Sequence, residues 1–280
     1  MPVTINHYTN LDVLSLILRN RTLRFTRLDQ VDDREESNFI SNGVNLGPYT
    51  FVSCWSEVKE ENIPMWKMYT KGKWGVRLSL VKEGLFKTYV DDVREHNGVK
   101  ITKEEPVISL FPPEIRWRQK DFIPPIITED YDTCNFYRKV KYVDDIKPYA
   151  DGCVKITSRQ DKVALDIHTS KVGSYKNKRW AFQEESRFVL FFMPGNILSI
   201  PYSEDYFSEH KRMIYDVINN KDLGFSHYDM SLSDSAFDHL VITLSPLCEP
   251  SLRIMVEALC EKYAPKAKIV ESSLVGKLAR

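Results

Sequence analysis

The sequence predicts an α+β fold: a single domain over residues 1–280, with a loop-rich insertion at 81–148. Three observations predict it. Segments of helical and strand periodicity are mixed along the chain, and no internal repeat or low-complexity tract divides it. Near the end, β-prone residues 240–244, helical residues 251–263 and β-prone residues 268–271 follow one another as a βαβ unit. With 280 residues, 42% of them hydrophobic, the chain can bury a core. Its 39 Lys+Arg balance 39 Asp+Glu, which argues against a basic coat for nucleic acid and leaves room for a local basic groove.

The elements follow in order. Asn10 caps a helix whose apolar positions Leu11, Leu14, Ile17 and Leu18 recur at helical spacing, after an extended segment ending in His7, Tyr8 and Thr9. Thr22, Leu23, Arg24, Phe25 and Thr26 alternate with period two, as in a half-buried strand. The acidic stretch 29–36 reads as a loop or a helix start, and residues 49–56 as a strand. Pro64 suits the first turn of a short helix carrying Met65, Trp66, Met68 and Tyr69, because its missing N–H would be unpaired there anyway; Gly72 stops that helix. In the strand 74–80, Val76, Leu78 and Leu80 share one face and Arg77 and Ser79 the other. Pro106, Pro112, Pro113, Pro124 and Pro125 punctuate the insertion, where only 137–143 alternates clearly. A helix is predicted over about 158–169, then a basic turn, then a strand over 185–193.

The start has no cationic segment followed by an apolar one, and the longest apolar run, 188–193, is far short of the ~18 residues of a membrane span. A cytoplasmic protein without membrane contact is the expectation. Cys54, Cys134, Cys153, Cys248 and Cys260 are odd in number and never form Cys-x-x-Cys, so reduced thiols are expected, with neither a disulfide framework nor a zinc site. His7, His96, His168, His210, His227 and His239 are scattered, and no metal ligand is assigned. There is no Gly-x-Gly-x-x-Gly, Walker-type loop or His-Glu-x-x-His.

Three constellations can carry chemistry. His7, Tyr8 and Thr9 end a strand immediately before a capped helix, where polar groups can hold a ribose or phosphate. Gln183, Glu185 and Arg187 point to one face if the chain is extended there, and a carboxylate so placed can stabilise a developing cation; the same residues also suit an ordinary Glu185–Arg187 surface pair. Ser53, Cys54, Trp55 and Ser56 share a strand, while Trp66 and Tyr69, three apart on a helix, can clamp a planar ring or simply join the core. A Ser53 or Cys54 nucleophile with a distant His stays open. Lys171, Lys176, Lys178 and Arg179 form a basic run beside the second constellation.

The order of these segments resembles a bacterial family of domains of unknown function. Its members show a His/Arg-Tyr-Thr/Arg start, a "Leu-Arg-Phe" strand, an acidic loop, a "Ser-Phe/Trp-Ser-Glu" strand, a "Met-Trp-x-x-Tyr" helix with a following glycine, and a late "Lys-x-x-x-Trp-x-x-Glu-x-Glu-x-Arg". The counterparts here are His7-Tyr8-Thr9, Leu23-Arg24-Phe25, the loop from Asp32 to Glu36, Ser53 to Glu57, Met65 to Tyr69 with Gly72 and Gly75, and Lys176 through Trp180, Gln183 and Glu185 to Arg187. Departures are Asp32 and Arg34 in the acidic loop and Gln183 where Glu is common. The order also resembles toxin-type ADP-ribosyltransferases, in which a His-x-Thr start, a middle Ser strand with an aromatic helix, and a late Gln/Glu-x-Glu recur.

That resemblance implies an ADP-ribosyltransferase-like core of two small, mainly antiparallel sheets flanked by helices, and transfer of ADP-ribose from NAD by a toxin or phage-defence effector. It implies that His7, Tyr8 and Thr9 hold the adenosine side of NAD, that Ser53, Trp66 and Tyr69 meet the nicotinamide side, that Glu185 binds the ribose 2′-hydroxyl, and that Gln183 orients the nucleophile. Nucleic acid is the favoured acceptor, because the basic run and Arg116-Trp117-Arg118 can track a single strand; a protein acceptor and an antitoxin partner stay open. The rivals are a non-catalytic nucleic-acid or protein-binding module and a magnesium-dependent nuclease using Asp29, Asp32, Asp33 and Glu36.

Overall fold

Strand β1 (Thr4–Asn10) runs straight into helix α1 (Leu11–Asn20), and Asn10 makes the turn: its side-chain oxygen accepts from the N–H groups of Asp12 (3.0 Å) and Val13 (3.2 Å). The helix buries Leu14, Ile17 and Leu18 against the core and ends at Arg21, whose φ of 53° reverses the chain into β2 (Thr22–Arg27). Asn10→Ala should cost about 1 kcal/mol, read as a lower thermal midpoint.

The computed structural model describes residues 2–91, 95–96, 99–100, 107–125, 127, 135–159, 162–199 and 204–278. Cys134 and the side chains of His96 and Arg118 lie outside the described residues. After β2 come α2 (Arg34–Ser37), β3 (Thr50–Ser56), α3 (Ile63–Tyr69) and β4 (Gly75–Val81). Then follow β5 (Tyr137–Lys139), β6 (Lys141–Val143), β7 (Val154–Arg159), β8 (Lys162–Ile167), β9 (Tyr175–Asn177) and β10 (Glu185–Phe191). The last third adds α4 (Glu204–Ile218), β11 (His227–Ser231), β12 (Val241–Leu244), α5 (Pro250–Tyr263) and β13 (Lys268–Val270).

The architecture is mixed α and β, built on one nine-stranded sheet of order β5-β10-β3-β1-β4-β12-β13, from which β2 and its partner β11 branch at β3. Where two small, mainly antiparallel sheets are expected, one large sheet is found, with further two-stranded sheets around it. The joint is β3. One of its edges pairs with β10 from Thr50 to Ser56; the other pairs with β2 at Phe51 and Val52 and with β1 only at Ser56. Between those contacts the sheet forks at Ser53, Cys54 and Trp55.

The predicted late unit is present, with β12 and β13 parallel across α5; the other pairings in the large sheet are antiparallel. Two local expectations are corrected. The helix predicted near 158–169 is instead the β7–β8 hairpin, in which Ile156 faces Leu165 and Val154 faces Ile167. Its apolar residues alternate with polar ones at period two, which a strand can sort to one face and a helix cannot. The alternating stretch 137–143 is two short strands that part at Val140 to join different sheets, β5 with β10 and β6 with β9.

Phe25, Phe86, Phe136 and Phe188 pack ring to ring at the centre of one contiguous core. Among the largest fully buried side chains is a charged one, Arg187 on β10. No helix among the described residues is long and apolar enough to cross a membrane.

Candidate active site

The fork opens a pocket of about 320 Å³, lined by His7 and Tyr8 from β1, Arg24 and Thr26 from β2, Ser53 to Trp55 from β3, Met65 and Tyr69 from α3, and Lys176, Gln183, Glu185 and Arg187 from the β9–β10 region. The opening of the chain and a carboxylate late in it therefore face one cavity. Its volume lies at the low end for ligand pockets and fits a ring and a sugar more closely than a whole dinucleotide. A more open groove of about 530 Å³, lined by Asp32 to Glu35, Met68, Arg179, Trp180 and Phe182, meets it at Asp32.

Arg187 holds the charged wall together. Its Nε lies 2.5 Å from Glu185 Oε1 and one terminal nitrogen 3.1 Å from Glu185 Oε2, while both terminal nitrogens grip Glu36 at 2.6 and 3.0 Å. Lys176 Nζ donates to Glu185 Oε2 (3.2 Å) and Gln183 Oε1 (2.8 Å) and stands 3.7 Å from Glu36. Two cations and two carboxylates, all buried, form a formally neutral cluster. The Glu185 charge is therefore felt only at contact range, since its field is largely cancelled at a distance.

Burial pushes the Glu185 carboxyl up, but Arg187 and Lys176 more than offset it and hold it at about 2. The group is ionised at neutral pH and makes a poor general acid. Because its folded value lies below the ordinary 4.5, it contributes stability above about pH 4.5 that is lost as pH falls through about 2. Acid melting of wild type should show this loss, and Glu185→Gln should lack that component.

His7 Nδ1 is 2.8 Å from the Cys54 carbonyl, an oxygen that can only accept, so Nδ1 carries the hydrogen. Burial lowers the His7 pKa against the smaller raising effect of that bond, leaving a neutral ring with a lone pair on Nε2. This bond satisfies the β3 edge where the fork leaves it without a strand. Trp55 stacks obliquely on His7 at 5.1 Å and donates its indole N–H to Ser53 Oγ. Burial, with Glu185 beside it, pushes the Cys54 thiol well up; the thiol donates to Glu185. Ser53 Oγ accepts from Trp55, and the raised pKa keeps the Cys54 thiol protonated beside Glu185, which removes support from a nucleophilic role for either.

Of the predicted ligand-contacting residues, His7, Tyr8, Ser53, Tyr69, Gln183 and Glu185 line the pocket and two lie elsewhere. Thr9 is buried opposite Val76 in the sheet. Trp66 belongs to the core: its indole donates to Glu61 and its ring meets Tyr8 edge-on at 5.1 Å. With seven residues, α3 turns only one aromatic, Tyr69, to the cavity. Gln183 does not precede Glu185 on an extended chain, because it ends a 3-10 turn and Glu184 is left-handed (φ 44°). The two side chains still converge, drawn together by Lys176.

The basic run is not a uniform solvated face. Lys176 is buried, Lys178 pairs with Asp144, and Arg179 reaches the groove. Arg116 is buried beside Trp117 and away from the pocket. Three of the four acidic residues offered for magnesium are committed elsewhere, Asp29 to Arg27, Glu36 to Arg187 and Asp33 as the cap of α2, while Asp32 lines the cavities. Among the described residues no group of three or more His, Cys, Asp or Glu is placed to hold a metal ion. Sequence reasoning did not pair Glu36 and Lys176 with Glu185 and Arg187: it placed Glu36 in an acidic loop and Lys176 in a basic run, and their polar neighbours give no sign of burial.

Comparison of the chain with protein-family models, with curated proteins and with solved structures finds no match.

Proposed function

We propose that the forked pocket binds the nicotinamide–ribose end of NAD and that the protein transfers ADP-ribose to a macromolecular acceptor. The observation that carries this reading is the convergence of His7 and an ionised, buried Glu185 on one cavity walled by aromatic rings. Cleaving the nicotinamide–ribose bond builds positive charge on the ribose, while nicotinamide leaves neutral and needs no proton. A carboxylate that cannot act as an acid suits that step. Glu185 accepts the 2′-hydroxyl and stabilises the oxocarbenium ion at contact distance, and Tyr69 covers the nicotinamide.

The neutral His7 ring supplies an acceptor for a ribose hydroxyl, and the groove beyond Asp32 takes what the smaller pocket leaves outside. An ADP-ribosyltransferase-like core, with its two halves fused at the fork, is part of this reading, as is a toxin or phage-defence setting with nucleic acid as acceptor. Labelled NAD incubated with the protein and with separated RNA, DNA and protein tests it: label should enter one fraction with release of nicotinamide. Binding of nucleic acid without NAD turnover would favour a non-catalytic module.

A further inference from the structure

Helix α3 is tied at both of its ends to the turn that precedes β10. At its start the half-buried Asn62 caps the helix, its Oδ1 accepting from the Met65 N–H (3.1 Å). A carboxamide whose oxygen is so engaged turns its Nδ2 the other way, and there Nδ2 donates to the Phe182 carbonyl (2.6 Å), an acceptor that fixes the same orientation independently. At the far end of the helix the Tyr69 hydroxyl accepts from Gln183 Nε2. Phe182 and Gln183 close the 3-10 turn Lys178–Gln183, and Glu185 opens β10 two residues on. The backbone N–H of Asn62 reaches a third element, donating to the Tyr8 hydroxyl of β1 (2.9 Å). Its neighbour Glu61 anchors the loop from the far side, accepting from Trp66 Nε1 (3.0 Å), Ser272 Oγ (2.5 Å) and the Ser273 N–H (2.6 Å).

The two ties differ in what a ligand can do to them. Gln183 and Tyr69 both line the pocket, so a bound molecule can compete for the bond between them. Asn62 lines neither the pocket nor the groove, and its bond to the Phe182 carbonyl is not one that a ligand there displaces. With ligand in place, it is the Asn62 tie that holds α3 to the turn.

We infer that Asn62 is a positioning residue: it sets the spacing between Tyr69 and Glu185, and so between the ring that covers the nicotinamide and the carboxylate that meets the ribose. The inference rests on the glycosyl-transfer reading. On that reading the two side chains act on the two halves of the bond that breaks, and a misplacement of about 1 Å is felt in the transition state more than in binding. Asn62 itself touches no substrate.

The test separates the tie from the cap. Serine and aspartate cap a helix as well as asparagine does, but serine has no second polar atom for Phe182 and aspartate turns a second oxygen toward its carbonyl. Nicotinamide release from NAD and amide hydrogen exchange are followed in the full chain for wild type, Asn62→Ser and Asn62→Asp. Melting curves show that each is folded, and if one is not the other carries the test. Asn62→Ser should lower kcat about tenfold with KM within about threefold of wild type, and Asn62→Asp should lower kcat further. Both should speed exchange in residues 178–184 about fivefold, the worth of roughly one hydrogen bond. A residue that only caps the helix would leave kcat at the wild-type value in both variants, because both keep the cap. Wild-type kcat in a folded variant, a rise in KM alone, or unchanged exchange in 178–184 overturns the inference. Absence of nicotinamide release from wild type overturns the glycosyl-transfer reading itself; faster exchange in the variants would then still show that Asn62 holds the turn.

Discussion

Glu185→Gln is expected to lower nicotinamide release from NAD by about 10²–10³ while leaving a folded protein. The substitution keeps the shape of the side chain and removes the one charge that the proposed transfer would use. Arg187 retains its two bonds to Glu36, so the buried cluster loses one carboxylate without losing its anchor. A folded variant that releases nicotinamide at the wild-type rate would remove Glu185 from the chemistry and leave it a role in packing only.

Arg187→Met is expected to have the largest effect on stability. The guanidinium is 1% exposed and is the common partner of Glu36 and Glu185, themselves buried. Removing it leaves two carboxylates facing one remaining cation, Lys176, in a dry site. Breaking a buried pair in this way costs about 3–5 kcal/mol, which lowers the melting midpoint on the order of 10 °C. The sign of its pH dependence follows. Without Arg187 the main cause that holds the Glu185 carboxyl down is gone, so its protonation relieves the repulsion, and the gap from wild type should narrow from about pH 7 toward about pH 4. Melting curves at the two pH values check both parts.

These consequences turn on residues that the sequence displays unevenly. Helix α1 was legible to its cap, because Asn10 and the spacing of Leu14, Ile17 and Leu18 are local signals. Strands β2, β3, β4 and β10 were legible from alternation or β-prone composition, and the late βαβ unit from the order of its parts. The β7–β8 hairpin was not, although its period-two alternation is present in the sequence: the predicted helix was laid across the turn, where residues 158–162 are polar and carry no period of their own. Nor was the single large sheet, which depends on β3 pairing with β1 and β2 along one edge.

The same division runs through the site. His7, Tyr8, Gln183 and Glu185 could be picked out by type and by order on their elements. That Thr9 and Trp66 turn away depends on which face each packed neighbour covers, and chain position does not carry that. Gln183 reaches the pocket wall not by strand alternation but through a 3-10 turn, a left-handed Glu184 and a lysine seven residues earlier that grips its oxygen. Glu36, far upstream, enters only because the fold lays α2 against the β9 strand and delivers its carboxylate to Arg187.

The most direct measurement is a crystal structure with a non-cleavable NAD analogue. The expected result places the nicotinamide ribose in the forked cavity, with its 2′-hydroxyl in hydrogen-bond contact with Glu185 and the nicotinamide ring against Tyr69. An analogue seated on any other surface, or a forked cavity left empty at saturating ligand, would contradict the account.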